Sequence, residues 1–273
     1  MKLNPAIPLL ALATFSAATP AAQLPVGLDL GKEPDSSKVN VSLYVMSKCP
    51  DARLCENVFG QVLRTESILP KISLSLHYIG TLDPSLPLGV DVKHGPTEAY
   101  GNAHQLCLYN HVPLTQFWAA VECMNFPSSF PKDIGTVGFT RQCAETVGVD
   151  WWGSGVGKCV EGKKRMGKAK KDKETQAEEK EGYYVGKEGR KLLLENIRET
   201  EKTGVTTSCT IEIGSTLVPE GKRTCVVDGG VWKGCDDGHT ATDFVRIIDA
   251  EWKNLKKGTS SIDEAFIDEH AED

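Results

Sequence analysis

Cys49 is the residue best placed to do chemistry in this chain of 273 residues. It stands directly before Pro50, and proline favours the first turn of a helix, so the sequence predicts Cys49 at a helix N-terminus. There the helix dipole and the unpaired backbone N–H groups favour the thiolate, the nucleophilic form of cysteine. Lys48 and Arg53 add positive charge on either side and favour it further. A thiolate so placed attacks a disulfide to give a mixed disulfide, which another thiol must resolve. The position where a Cys-x-x-Cys pair would carry its second sulfur is Ala52.

Cys55 and Cys209 are the candidate partners. If Pro50 starts a regular helix, Cys55 lies about 9 Å along the axis from Cys49 at a rise of 1.5 Å per residue. A disulfide needs α-carbons within about 7 Å, so a Cys49–Cys55 bridge requires a non-helical loop through Arg53. Cys209 either faces Cys49 or pairs with Cys225 or Cys235 in a structural bridge. The chain has nine cysteines. Cys107, Cys123, Cys143 and Cys159 fall in one helical block and are expected to form two bridges among themselves, with three possible connectivities. Cys225 and Cys235 flank a hairpin turn at a separation that suits a cross-strand bridge. Cys49, Cys55 and Cys209 remain, three sulfurs for at most one bond, so the unpaired cysteine is expected in the candidate active region.

The elements that position these sulfurs follow from hydrophobic periodicity. Val39, Val41, Leu43 and Val45 alternate as a half-buried strand, and a helix follows from about Pro50 to Glu66 with Leu54, Val58, Val62 and Leu63 on one face. Pro70 breaks it, and Ile72 to Ile79 alternates as a second strand. Strand, helix, strand makes a β-α-β unit with a parallel pair. A strand feeding a helix capped by a cysteine is how thioredoxin-like redox proteins present their sulfur. Residues 80–103 read as loop, and about 104–160 as an inserted helical block, with helices near Leu114–Met124 and Asp133–Val147, a packed helix starting at Trp151-Trp152, and a short one ending at Cys159. Residues 161–186 form a charged, solvated excursion. A helix over Lys187–Lys202, a strand over Val205–Ile213, a hairpin over Thr224–Cys235 turning at Asp228-Gly229-Gly230, and a helix over Thr242–Lys256 follow, before an acidic tail over 259–273 that is expected to be disordered. The predicted fold class is α/β: a thioredoxin-like domain over 39–258 with an inserted, disulfide-bonded helical block. In such folds the strand after the long helix opens with a cis-proline packed on the reactive cysteine. Cys209 falls at that position.

Residues 1–22 have the charged start, apolar stretch and small residues of a signal peptide, and 23–38 read as a flexible lead-in. A chain so addressed and rich in cysteine is expected in the secretory pathway, either extracellular or vacuolar/lysosomal. Asn40-Val-Ser42 is a glycosylation sequon, usable if Asn40 lies on an exposed face. No later run approaches the roughly 20 apolar residues of a membrane span. A net charge of −6 argues against nucleic acid, although Lys163 to Lys171 is a basic run. No zinc spacing, phosphate loop or serine triad is apparent, so no cofactor or metal is expected. His94 and Glu98 read as a loop-fixing histidine and a surface carboxylate, and His77 as a packed residue.

Lys93-His-Gly-Pro-Thr-Glu-Ala-Tyr-Gly-Asn102 resembles the signature of the gamma-interferon-inducible lysosomal thiol reductase family, a Cys-x-His-Gly-x-x-Glu-Cys-x-x-Asn pattern. His94, Gly95, Glu98 and Asn102 match it, while its two cysteines fall on Val92 and Ala99. Ser47 to Cys55, Cys123-Met124 and Ser208-Cys-Thr-Ile211 look like fungal members of that family, and the resemblance runs from about Val39 to Leu255. It implies a thioredoxin-like fold with a helical insertion and reduction of protein disulfides in an acidic compartment. Cys49 matches the family nucleophile, and no residue matches the resolving cysteine. The implied partners are a disulfide-containing protein and a small thiol reductant. The competing expectation is a secreted binding module whose cysteines are only structural.

Overall fold

A computed structural model describes residues 37–162, 182–215 and 218–269. The expected signal peptide, most of the lead-in and most of the charged excursion lie outside them. Strand β1 (Val39–Val45) is an interior strand, paired along both of its edges. Strand β2 (Ile72–Tyr78) pairs with it in parallel from Val39↔Ile72 to Val45↔Tyr78. A parallel pair demands a crossover, and helix α1 (Pro50–Leu63) supplies it. On the other edge runs antiparallel β5 (Thr210–Ser215), followed by β6 (Val218–Asp228) and β7 (Val231–Lys233). The sheet order is β2-β1-β5-β6-β7. A short pair, β3 (Thr81–Leu82) and β4 (Val90–Asp91), stands apart from it.

Between the β-α-β unit and the antiparallel strands come helices α2 (Pro96–His111), α3 (Leu114–Met124), α4 (Val137–Thr146), α5 (Val156–Glu161) and α6 (Lys187–Thr203). Helix α7 (Ala241–Glu269) closes the chain. Helix α1 packs against α7, where the Phe59 and Phe244 rings lie 5.2 Å apart, and α6 packs on β2 and α2. A parallel β-α-β unit joined to an antiparallel pair and a closing helix is the thioredoxin-like arrangement, with a helical insertion before the second half. No helix among the described residues is long and apolar enough to cross a membrane.

Several expectations need correction. The helical block begins at Pro96, inside the stretch read as loop, because Gly95 and Pro96 start α2 rather than interrupt it. The strand expected from Val205 begins at Thr210, with the segment before it irregular. Trp151 is buried in a turn while Trp152 is exposed, so they do not open a helix. The last helix continues to Glu269, past its expected end near Lys256.

Two buried titratable groups give the fold opposite pH dependences. Glu56 on α1 is fully buried, and its carboxylate accepts a hydrogen bond from Asn125 Nδ2 at 2.6 Å. Burial pushes its carboxyl up to about 7 from 4.5. Between those values the unfolded chain has lost a proton that the folded chain keeps, so stability falls as pH rises through the window. The full cost is about 3 kcal/mol. His104 is held between Thr140 Oγ1 and the Tyr184 carbonyl, and burial pushes it down from 6.5 to about 4. Here the unfolded chain gains the proton first, so stability falls as pH drops from 6.5 towards 4. The two slopes cancel over about pH 4.5 to 6.5. Glu56→Gln keeps an oxygen for Asn125 and removes the carboxyl. It is expected to match the parent near pH 4 and exceed its stability by about 3 kcal/mol above pH 7. Urea unfolding at pH 4 and pH 8, with Cys49 alkylated, checks this; a constant difference between the two would refute it.

Candidate active site

The turn Met46–Cys49 joins β1 to α1 and is closed by the Cys49 N–H donating to the Met46 carbonyl at 2.9 Å. Cys49 takes the N-cap position of α1 at φ −79° and ψ 126°, with Pro50 opening the helix. Its carbonyl accepts the Arg53 N–H at 3.1 Å, the first helical bond. The side chain is 5% exposed, and Sγ donates to the Ser208 carbonyl at 3.6 Å. Cys49 is the free cysteine.

The other eight cysteines are paired. Cys107 is joined to Cys159, Cys123 to Cys143 and Cys225 to Cys235. Cys55 is joined to Cys209, with α-carbons 6.5 Å apart and both residues fully buried. Neither candidate resolving sulfur is therefore a free thiol. Cys209 does enter the region of Cys49, through the cis Ser208–Cys209 peptide, but its bond goes to Cys55 rather than to Cys49, Cys225 or Cys235. The reason is helical geometry. Cys55 follows Cys49 by one and two-thirds turns, about 9 Å along the axis, and points into the core beneath the N-terminus.

Two backbone N–H groups in the turn have side-chain partners on α2. The Ser47 N–H donates to Asn102 Oδ1 at 3.0 Å and the Lys48 N–H to Glu98 Oε2 at 3.2 Å. Ser47 Oγ donates to the Glu98 carbonyl at 3.2 Å. The same Glu98 carboxylate accepts from the His94 ring, Nδ1 to Oε2 at 2.5 Å, and from the His94 N–H at 3.3 Å. Glu98 is completely buried and not the surface carboxylate expected, because Pro96 starts the helix and turns its first coil inward.

The flanking charges are engaged. Lys48 Nζ donates to Thr97 Oγ1 at 2.6 Å and sits 5.9 Å from the Tyr183 ring centre. Burial lowers its ammonium below the ordinary lysine value, against the pull of Glu98 and Asp133. The Arg53 guanidinium lies 5.1 Å from the Phe130 ring centre. Asp51, in the first turn of α1, accepts the Gly229 N–H at 3.0 Å and the Gly230 N–H at 2.7 Å. Both glycines have positive φ, which lets the β6–β7 hairpin tip aim two donors at one carboxylate. Sequence reasoning missed Ser208, Thr97 and Asp51, whose partners are remote in the chain. The four-residue spacing of Glu98 and Asn102 was a usable signal.

Elsewhere, His77 stacks on Tyr44 with ring centres 4.6 Å apart. His111, Cys159 and Glu188 bring ligand atoms within 4.8 Å of one another, but the Cys159 sulfur is bonded to Cys107 and is not a thiolate donor. Asn40, the sequon residue, is half-buried in β1.

A thioredoxin-like fold with a cysteine capping its first helix defines the class of thiol–disulfide oxidoreductases. Residues 40–147 match the profile described as gamma interferon inducible lysosomal thiol reductase (GILT). Over these residues the chain is similar to that family, and the matched region is narrower than the Val39–Leu255 resemblance. No curated protein matches the sequence. Among solved structures, the chain is similar to oxidised BdbD from Bacillus subtilis at 14% identity and TM-score 0.44, covering 83% of this chain and 91% of that one. A putative protein disulfide isomerase from Nitrosomonas europaea gives 9% identity and TM-score 0.46 over 80% and 98% of the two chains. A periplasmic thioredoxin-like protein from Salmonella enterica serovar Typhimurium gives 11% and 0.41 over 81% and 87%.

Proposed function

We propose that the protein reduces protein disulfides by a single-cysteine mechanism carried by Cys49. The observation that supports it most is the free thiol at the α1 N-cap, beside a Cys55–Cys209 bond that occupies both other nearby sulfurs. The Cys49 thiolate attacks one sulfur of the substrate disulfide. A Cys49–substrate disulfide forms, the substrate S–S bond breaks, and the second substrate sulfur leaves as thiolate. A small external thiol then attacks the substrate sulfur of that mixed disulfide and releases Cys49 as thiolate. A second external thiol completes the reduction. The structural disulfides and the family support action in the secretory pathway, extracellular or vacuolar/lysosomal, with Asn40 as the glycan acceptor.

The burial of Cys49 favours a second reading, a binding module with no catalysis. Labelling separates the two. The non-reduced folded protein is expected to take one alkyl label, on Cys49, and to form a covalent adduct with an activated small disulfide at that residue. Absence of the adduct under native conditions, with labelling only after denaturation, would sink the catalytic reading.

A further inference from the structure

We infer that Glu98 and Asn102 are positioning residues that hold the Ser47-Lys48 turn and thereby set the reactivity of Cys49. The inference rests on the proposed role of Cys49. In the turn closed by the Cys49 N–H, the two inner N–H groups have side-chain partners outside the turn. Glu98 and Asn102 supply them from successive turns of one α2 face, since residues four apart on a helix stand one above the other. Gly101 permits the approach. A Cβ there would lie 2.4 Å from Ser47 Oγ and 2.5 Å from Ile134 Cγ2. The bond from Ser47 Oγ to the Glu98 carbonyl adds a third tie.

The turn leads straight into Cys49, so these ties decide where its sulfur stands relative to the α1 N-terminus and the Ser208 carbonyl. Glu98 is itself anchored, through two bonds from His94, and both clamp residues are fully buried. His94, Glu98 and Asn102 thus reach the thiol through backbone geometry and not through contact with its sulfur. Charge alone works the other way. Loss of a negative charge in general favours a neighbouring anion, the opposite direction to loss of the ties that hold the turn.

That opposition supplies the test. Glu98→Met and Asn102→Leu remove the acceptors with little change in volume, and Glu98→Gln keeps one oxygen for the Lys48 N–H. The pH profile of Cys49 alkylation is measured together with the rate of insulin reduction. In Glu98→Met and Asn102→Leu the alkylation midpoint is expected to rise by about half a pH unit, the scale of a helix-terminus interaction. Reduction is expected to slow by roughly tenfold to a hundredfold. Glu98→Gln, which loses the charge and keeps the tie, is expected to recover most of the reduction rate and to bring the midpoint to the parent's value or below it. A midpoint that falls or stays put in Glu98→Met and Asn102→Leu would overturn the clamp, whatever happens to stability. If the parent protein reduces no insulin, the proposed function fails, while the alkylation profiles still decide whether the clamp sets thiol reactivity.

Discussion

Cys49→Ser is expected to abolish disulfide reduction, lowering the rate by on the order of 10³-fold or more, to the level of the external thiol alone. Serine is close in size and keeps a donor facing the Ser208 carbonyl, so the loss isolates the sulfur. It forms no mixed disulfide, and no second free thiol exists to substitute, since the remaining eight cysteines are paired. Folding is expected to be unchanged, because Cys49 makes no covalent bond in the native state. The check is insulin reduction by a small thiol with and without the variant, beside a thermal melt. Retained activity in Cys49→Ser would move the chemistry to a bridged sulfur and overturn the single-cysteine mechanism. The parent's rate is also expected to depend on the external thiol concentration, because in the proposed single-cysteine mechanism that thiol resolves the mixed disulfide.

The paired replacement Cys55→Ala and Cys209→Ala is expected to carry the largest stability cost in the molecule. The bond closes a chain separation of 154 residues. For a loop of that size, the chain-entropy relation gives about 5 kcal/mol. Both residues are fully buried between α1 and the segment entering β5, so little solvent relief offsets the loss. The melting temperature is expected to drop by roughly 10–20 °C. Replacing both cysteines avoids leaving one thiol beside Cys49. At a temperature where the variant is folded, Cys49 is expected to form its mixed disulfide at a rate close to the parent's. Loss of that reaction in a folded variant would make the Cys55–Cys209 pair a participant in the chemistry rather than a brace.

Much of the site was legible from local rules. Alternating apolar residues from Val39 and a cysteine before Pro50 carry their own geometry, because strand period and proline's fixed φ act within a few residues. The placement of Cys209 beside the reactive region was legible from element order. Its true partner was not, since pairing depends on which face of α1 meets the β5 entry. Glu98 misled for a related reason. Gly95-Pro96 is locally ambiguous between a loop and a helix start, and only the packing of α2 against the Ser47 turn makes that carboxylate a buried anchor.

By itself the sequence determined the thioredoxin-like element order, the inserted helices, the place of Cys49 at the start of α1 and the absence of sulfur at Ala52. The tertiary structure alone decided that Cys55 bonds Cys209, that Asp51 holds the hairpin tip, and that Glu98 and Asn102 hold the turn before Cys49. Periodicity and turn chemistry report neighbours a few residues away. Contacts between residues 50 to 180 apart form only when the sheet and helices have set which faces meet.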